Sequence, residues 1–169
     1  MPEPSQHAQS RGWIESILRH IPGFKGYLEK EYRRDSDALQ RTWLADRLQR
    51  SKPNLDAYGR TLVAAKKLDQ LTALDQFKSR LDKNISRLRG GMQGYSGFFD
   101  LVQINEARLD KVYQQDVQTM DAVETLAASM EKLSIATADT PPLLPTLNDQ
   151  LHQVEQAIDH RQDILKGLE

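Results

Sequence analysis

The sequence has no cysteine, which excludes disulfides, thiolate metal sites and a cysteine nucleophile and fits a reducing compartment. Neither sign of charge is in excess. There are 23 Lys and Arg against 24 Asp and Glu, a net charge of -1 that gives no reason to expect binding to a nucleic-acid backbone. No apolar run approaches the roughly 18 residues of a membrane span. The opening MPEPSQHAQSR also lacks the apolar core of a secretory signal, so a cytoplasmic location is the expectation. β-Branched residues never alternate over a useful length and no fixed-period repeat is visible, which leaves strands and solenoids without support.

Motifs of the common chemistries are missing too. A carboxylate-bridged metal pair in a helical bundle needs Glu-x-x-His projecting from two helices. The nearest spacing is Asp149 with His152; Glu155, Asp159 and His160 fall on the same final helix, too few ligands on one element. His7 and His20 lie in a tail and on an amphipathic stretch, with no nucleophile elbow to serve. The glycine-rich GGMQGYSGFFD, residues 90–100, follows a helix rather than a strand and carries no lysine, so it is not a phosphate loop. The expectation is a chain that is not an enzyme, with no metal, no cofactor and no small-molecule substrate.

What is present is helical periodicity. A chain of 169 residues, 38% hydrophobic and 28% charged, suits one soluble domain. Residues 1–11 carry two prolines and no apolar period and read as a disordered tail; residues 12–169 read as a single helical-bundle domain. Trp13, Ile14, Ile17, Leu18 and Ile21 make a short amphipathic helix that Pro22-Gly23 stops. Residues 26–50 read as a second helix anchored by Leu28, Tyr32, Leu39, Trp43 and Leu48. Glu29, Arg33, Asp37 and Arg41 alternate in sign along its outer face. Ser51-Lys52-Pro53 predicts a break or a sharp kink.

Helix resumes over 54–89 through Leu71, Leu74, Leu81, Ile85 and Leu88, with Lys78 at the vacant heptad position. Over 98–134 the same spacing runs through Val102, Leu109, Val112, Met120, Val123, Ala127 and Met130, with Asp116 as a polar intruder. Two matched arms of about 36 and 37 residues joined by a glycine turn predict an antiparallel hairpin on the order of 55 Å long. Residues 136–146 read as an internal linker. Thr146 with Asp149 then caps a last helix whose Leu147, Leu151, Val154, Ile158, Leu165 and Leu168 form the cleanest seam. The expected fold is all-α, an elongated antiparallel helical bundle built on a long helical hairpin.

The neutral total hides an asymmetry: residues 1–100 hold 18 basic and 12 acidic side chains, residues 101–169 hold 5 and 12. Lys78, Arg80, Lys83, Arg87 and Arg89 are expected beside a helix bearing Asp100, Glu106 and Asp110, or, for Arg80, Lys83, Arg87 and Arg89, as a basic tip for an acidic partner. Tyr95, Phe98 and Phe99 either pack the bundle end or form a docking tip. Trp13, Ile17, Ile21 and Phe24 either complete the core or face a protein partner or a lipid headgroup layer. PPLLP, residues 141–145, reads as linker rather than polyproline ligand for want of an adjacent basic residue. Asp35, Asp116 and Lys78 fall at or beside apolar seams, where they either pair across helices or mark an opening to water.

The stretch IPGFKGYLEKEYRRDSDALQR, residues 21–41, followed by a long helix and GYSGFFD, residues 94–100, resembles an uncharacterised family of bacterial helical proteins over residues 12–134. That resemblance implies no activity and transfers no site residue. In architecture alone, an amphipathic segment before a long helical hairpin is also similar to the phage-shock and ESCRT-III-like membrane-remodelling proteins. The functional expectation is a non-catalytic interaction or scaffold protein that binds a protein partner or itself. The alternative is a peripheral membrane protein inserting residues 12–28.

Overall fold

The computed structural model of the chain describes residues 4–90, 106–136 and 143–167. Regular structure among them is entirely helical: α1 Pro4–His20, α2 Lys30–Ala64, α3 Leu68–Gly90, α4 Glu106–Glu131 extended by a 3-10 turn at Lys132–Ile135, and α5 Leu144–Lys166. The fold is an all-α antiparallel bundle built on a long helical hairpin.

That hairpin is not made by the expected arms. It is α2 and α3, running antiparallel and laced by Asp46–Arg89 at 2.8 Å, Lys52–Asp82 at 2.5 Å and Asp56–Lys78 at 2.6 Å. α4 and α5 form the second antiparallel pair, and the two pairs join through α2 against α4 and α3 against α5. Arg47 on α2 is forked between Glu124 and Glu131 on α4, 2.7 Å from each, and Arg80 on α3 grips both oxygens of Glu155 on α5. α3 and α4 therefore occupy opposite corners and do not pack on each other. A short turn joins neighbours, not the corners of a diagonal.

Several boundaries differ from the sequence expectation, among them the start of α2 at Lys30 rather than residue 26. α2 runs unbroken through Pro53, on the order of 50 Å, because Leu48, Ser51 and Leu55 on either side of it are buried and hold the chain in line. The break comes instead at Ala65–Lys67. There the Lys66 N–H bonds the Val63 carbonyl and the Lys67 N–H the Leu62 carbonyl, both at 3.0 Å, while Lys66 takes φ 57°. This is a Schellman cap with lysine where glycine is usual, so neither glycine nor proline announces it. α1 starts at Pro4 and so takes in most of the stretch expected to be a disordered tail. α5 starts at Leu144 with Pro145 in its first turn, placing Thr146 inside the helix rather than at its cap.

The core runs the length of the bundle. Leu44, Leu48, Leu55 and Leu62 of α2 meet Leu74, Phe77 and Leu81 of α3, Val123, Leu126 and Met130 of α4, and the α5 seam. α1 lies along α4, and residues 21–29 form a strap that buries Ile21, Phe24 and Tyr27. The position expected for Lys78 in the α3 core belongs to Phe77; Lys78 sits half-buried on the outer side of the hairpin.

Candidate functional site

The strap segment, distinctive already in the sequence, carries the most specific geometry in the molecule. α1 ends because Pro22 has no N–H to extend it, the last helical bond running from Ile21 N to Ile17 O at 2.9 Å. Gly26 turns the chain with φ 87°, and a Cβ there would lie 2.6 Å from the Tyr113 hydroxyl, so only glycine fits. The turn delivers Tyr27 into the bundle, fully buried. Its backbone N–H donates to the Tyr113 hydroxyl at 2.7 Å, and its ring stacks on Tyr113 with centroids 5.2 Å apart. Its own hydroxyl donates to Asp116 Oδ2 at 2.5 Å.

Arg161 of α5 completes the cluster. Its Nε donates to Asp116 Oδ1 at 2.6 Å, and its Nη2 donates to the Tyr27 hydroxyl at 3.2 Å. The same guanidinium lies 2.8 Å from Asp37 Oδ1 of α2, off the line of its N–H bonds, so that contact is a charge contact rather than a hydrogen bond. Asp37 also takes a hydrogen bond from Arg41 at 2.9 Å, and Arg41 donates to the Leu88 carbonyl of α3 at 3.1 Å. Burial is the main force raising the pKa of Asp116, opposed by Arg161. Burial, followed by the Asp116 charge, lifts the Tyr27 hydroxyl well above its ordinary range, so it keeps its proton and stays a donor. Chemically the cluster ties the strap, α2, α4 and α5 in one register. Nearby, both amide atoms of the buried Gln40 have no hydrogen-bond partner.

Sequence reasoning found part of this cluster. Asp116 was visible as an intruder in the α4 seam. Arg161 was missed, although the seven-residue gap between Ile158 and Leu165 marks its place on the α5 seam. Asp37 is buried instead of lying on the outer face, and Asp35 is exposed. The cause is that the core face of α2 near the strap is Ser36, Asp37 and Gln40, a polar stripe that hides the helix phase. Leu28, expected as an anchor, is exposed.

The predicted partner residues are dispersed. Ile17, Ile21 and Phe24 are buried in the core and Trp13 packs half-buried against it, so of the two alternatives these four take the one that completes the core. Tyr95, Phe98 and Phe99 lie outside the described residues. The basic residues pair within the bundle: Arg80 binds Glu155 and Asn148, Arg87 binds Asp159 at 2.7 Å and Arg89 binds Asp46, with Lys83 exposed among them. Their partners stand on α2 and α5; Asp100 and the Glu106 side chain, expected beside them, lie outside the described residues. Arg80 holds the Glu155 carboxyl below its usual range, as Arg47 does for Glu124 and Glu131.

Large apolar side chains do reach solvent at the other end. Val63 and Leu68 flank the α2–α3 turn, 56% and 66% exposed, and Ile135 beyond α4 is 83% exposed. Beside the turn a groove of about 480 Å³ runs between α2 and α3 over Gly59, Val63, Ala64, Leu71 and Leu74. Among the described residues no helix is long and apolar enough to cross a membrane, and no three His, Asp or Glu are grouped to hold a metal ion. Comparison with protein-family models, with curated proteins and with solved structures gives no match.

Proposed function

We propose that the chain is a non-catalytic helical interaction or scaffold protein that works from the hairpin end of its bundle. The observation carrying this reading is the placement of exposed apolar surface. A lone exposed leucine such as Leu18 or Leu28 is ordinary, whereas Val63 lines an apolar groove at one end and Leu68 is exposed across the turn from it. The strap end, by contrast, spends Ile21, Phe24 and Tyr27 on its own core. That burial also favours a protein partner over insertion of residues 12–28 into a membrane, since insertion would pull Ile17, Ile21 and Phe24 out of the bundle. The buried Tyr27, Asp116 and Arg161 cluster serves in this reading to keep the scaffold in one shape. A cytoplasmic setting fits the cysteine-free composition.

Photo-crosslinking in cells tests it. A photoreactive amino acid at Val63 or Leu68 is expected to give discrete protein adducts, and the same probe at exposed Leu28 none. Absence of adducts from the hairpin end, or equal adducts from Leu28, overturns the reading.

A further inference from the structure

The ion pairs between α2 and α3 form a ladder whose signs alternate. Asp46, Lys52 and Asp56 on α2 face Arg89, Asp82 and Lys78 on α3, and all three rungs are closed. The next position in the same register is Arg60 opposite Asp75. Both are exposed, and among the described residues neither makes an ion pair across the two helices; Arg60 acts on Asp56 and Asp75 on Lys78, each a neighbour on its own helix. The rung is open where the groove begins: Arg60 and Asp75 stand on its two walls, with Gly59, Val63, Ala64, Leu71 and Leu74 between them. Gly59 leaves the α2 wall low here, since a Cβ would come within 3.3 Å of Leu74.

An apolar floor between one cation and one anion, each without a partner across the helices, is self-complementary. A partner of a single charge sign would satisfy one wall and repel the other. A second copy of this chain, turned about a two-fold axis running along the hairpin, sets its α3 over α2 and its α2 over α3. Arg60 then meets Asp75 of the second copy twice, and the apolar floors face each other. The near-neutral chain, at -1, adds no repulsion between copies. We infer that the α2–α3 groove is the contact face of a symmetric homodimer closed by the Arg60–Asp75 pair. This rests on the interaction-protein reading above and names its partner.

Charge reversal on the full chain tests it by sedimentation equilibrium, with helicity followed by circular dichroism to confirm folding. The wild-type chain is expected to be dimeric at about 50 μM. Arg60→Glu and Asp75→Arg, each alone, place like charges together at both symmetric contacts and are expected to weaken association at least about tenfold. An equimolar mixture of the two single variants restores opposite charges at both contacts, and is expected to form a heterodimer within about threefold of the wild-type affinity. A wild-type chain that stays monomeric, single variants that dimerise unchanged, or a mixture that stays monomeric each overturns the inference. If the hairpin end crosslinks to a different protein in cells while the purified chain is monomeric, the homodimer falls and the interaction-protein reading stands.

Discussion

Tyr27 has the most demanding surroundings of any residue described, because its hydroxyl must serve a fully buried carboxylate. Tyr27→Phe keeps the ring stacked on Tyr113 but leaves Asp116 Oδ2 without its donor. The expected loss is about 1–3 kcal/mol, read as a fall in Tm of roughly 3–10 °C by thermal unfolding. An unchanged Tm would show that the hydroxyl contributes nothing to stability. Glu155 governs a different response. Its pKa is lowered by Arg80 and Asn84, so its stabilisation is present above the unfolded carboxylate pKa and is lost as pH falls through the lower folded value. Glu155→Gln is therefore expected to flatten the acid side of the stability–pH curve while costing about 0.5–1 kcal/mol at neutral pH, the modest worth of a solvent-screened pair. Chemical denaturation at a series of pH values measures it, and parallel curves for the two proteins would remove the assignment. At this scale the sequence was legible where a residue broke an apolar pattern, as Asp116 does. It was illegible where the core face itself is polar, as at Ser36, Asp37 and Gln40.

Helix boundaries depend on local signals, and two of those signals mislead here. Pro53 removes one hydrogen bond from α2 and crowds the preceding turn, yet the helix persists because the buried residues flanking it are fixed by α3 and α4. Pro53→Ala is expected to raise stability by about 1–3 kcal/mol, since the exposed ring makes no core contact to lose. Lys66 at the real break carries the opposite anomaly, a side chain in the left-handed region. Lys66→Gly relieves that strain, with an expected gain of about 1 kcal/mol and roughly 2–4 °C in Tm. Equilibrium unfolding of both variants decides these; destabilisation by Lys66→Gly would show that the flexibility glycine adds to the unfolded chain outweighs the strain. The five helices themselves were largely legible from apolar spacing. Their ends were not, because a cap built from backbone bonds alone leaves no mark on composition.

Across the whole molecule, α1 and the strap behave as part of the bundle rather than as an appendage. Ile17, Ile21 and Phe24 are worth about 1.5–3 kcal/mol each when buried, against a total stability of about 5–15 kcal/mol for a domain. A chain beginning at Lys25 is therefore expected to lose most of its cooperative thermal transition, as differential scanning calorimetry would show. Survival of that transition within about 2 °C of the full chain would free residues 4–24 for another role. The amino-acid sequence by itself determined that this protein is helical, where its apolar seams run and that Pro22-Gly23 stops the first helix, since periodicity and φ preference act over a few residues. Tertiary structure alone decided which helices became neighbours. One apolar seam fits another almost as well as a third, so the seams leave the pairing open. The choice lies in the matched exceptions: Asp116 and Asp37 must reach Arg161, and the alternating charges of α2 must meet those of α3, which sets α3 and α4 on opposite corners.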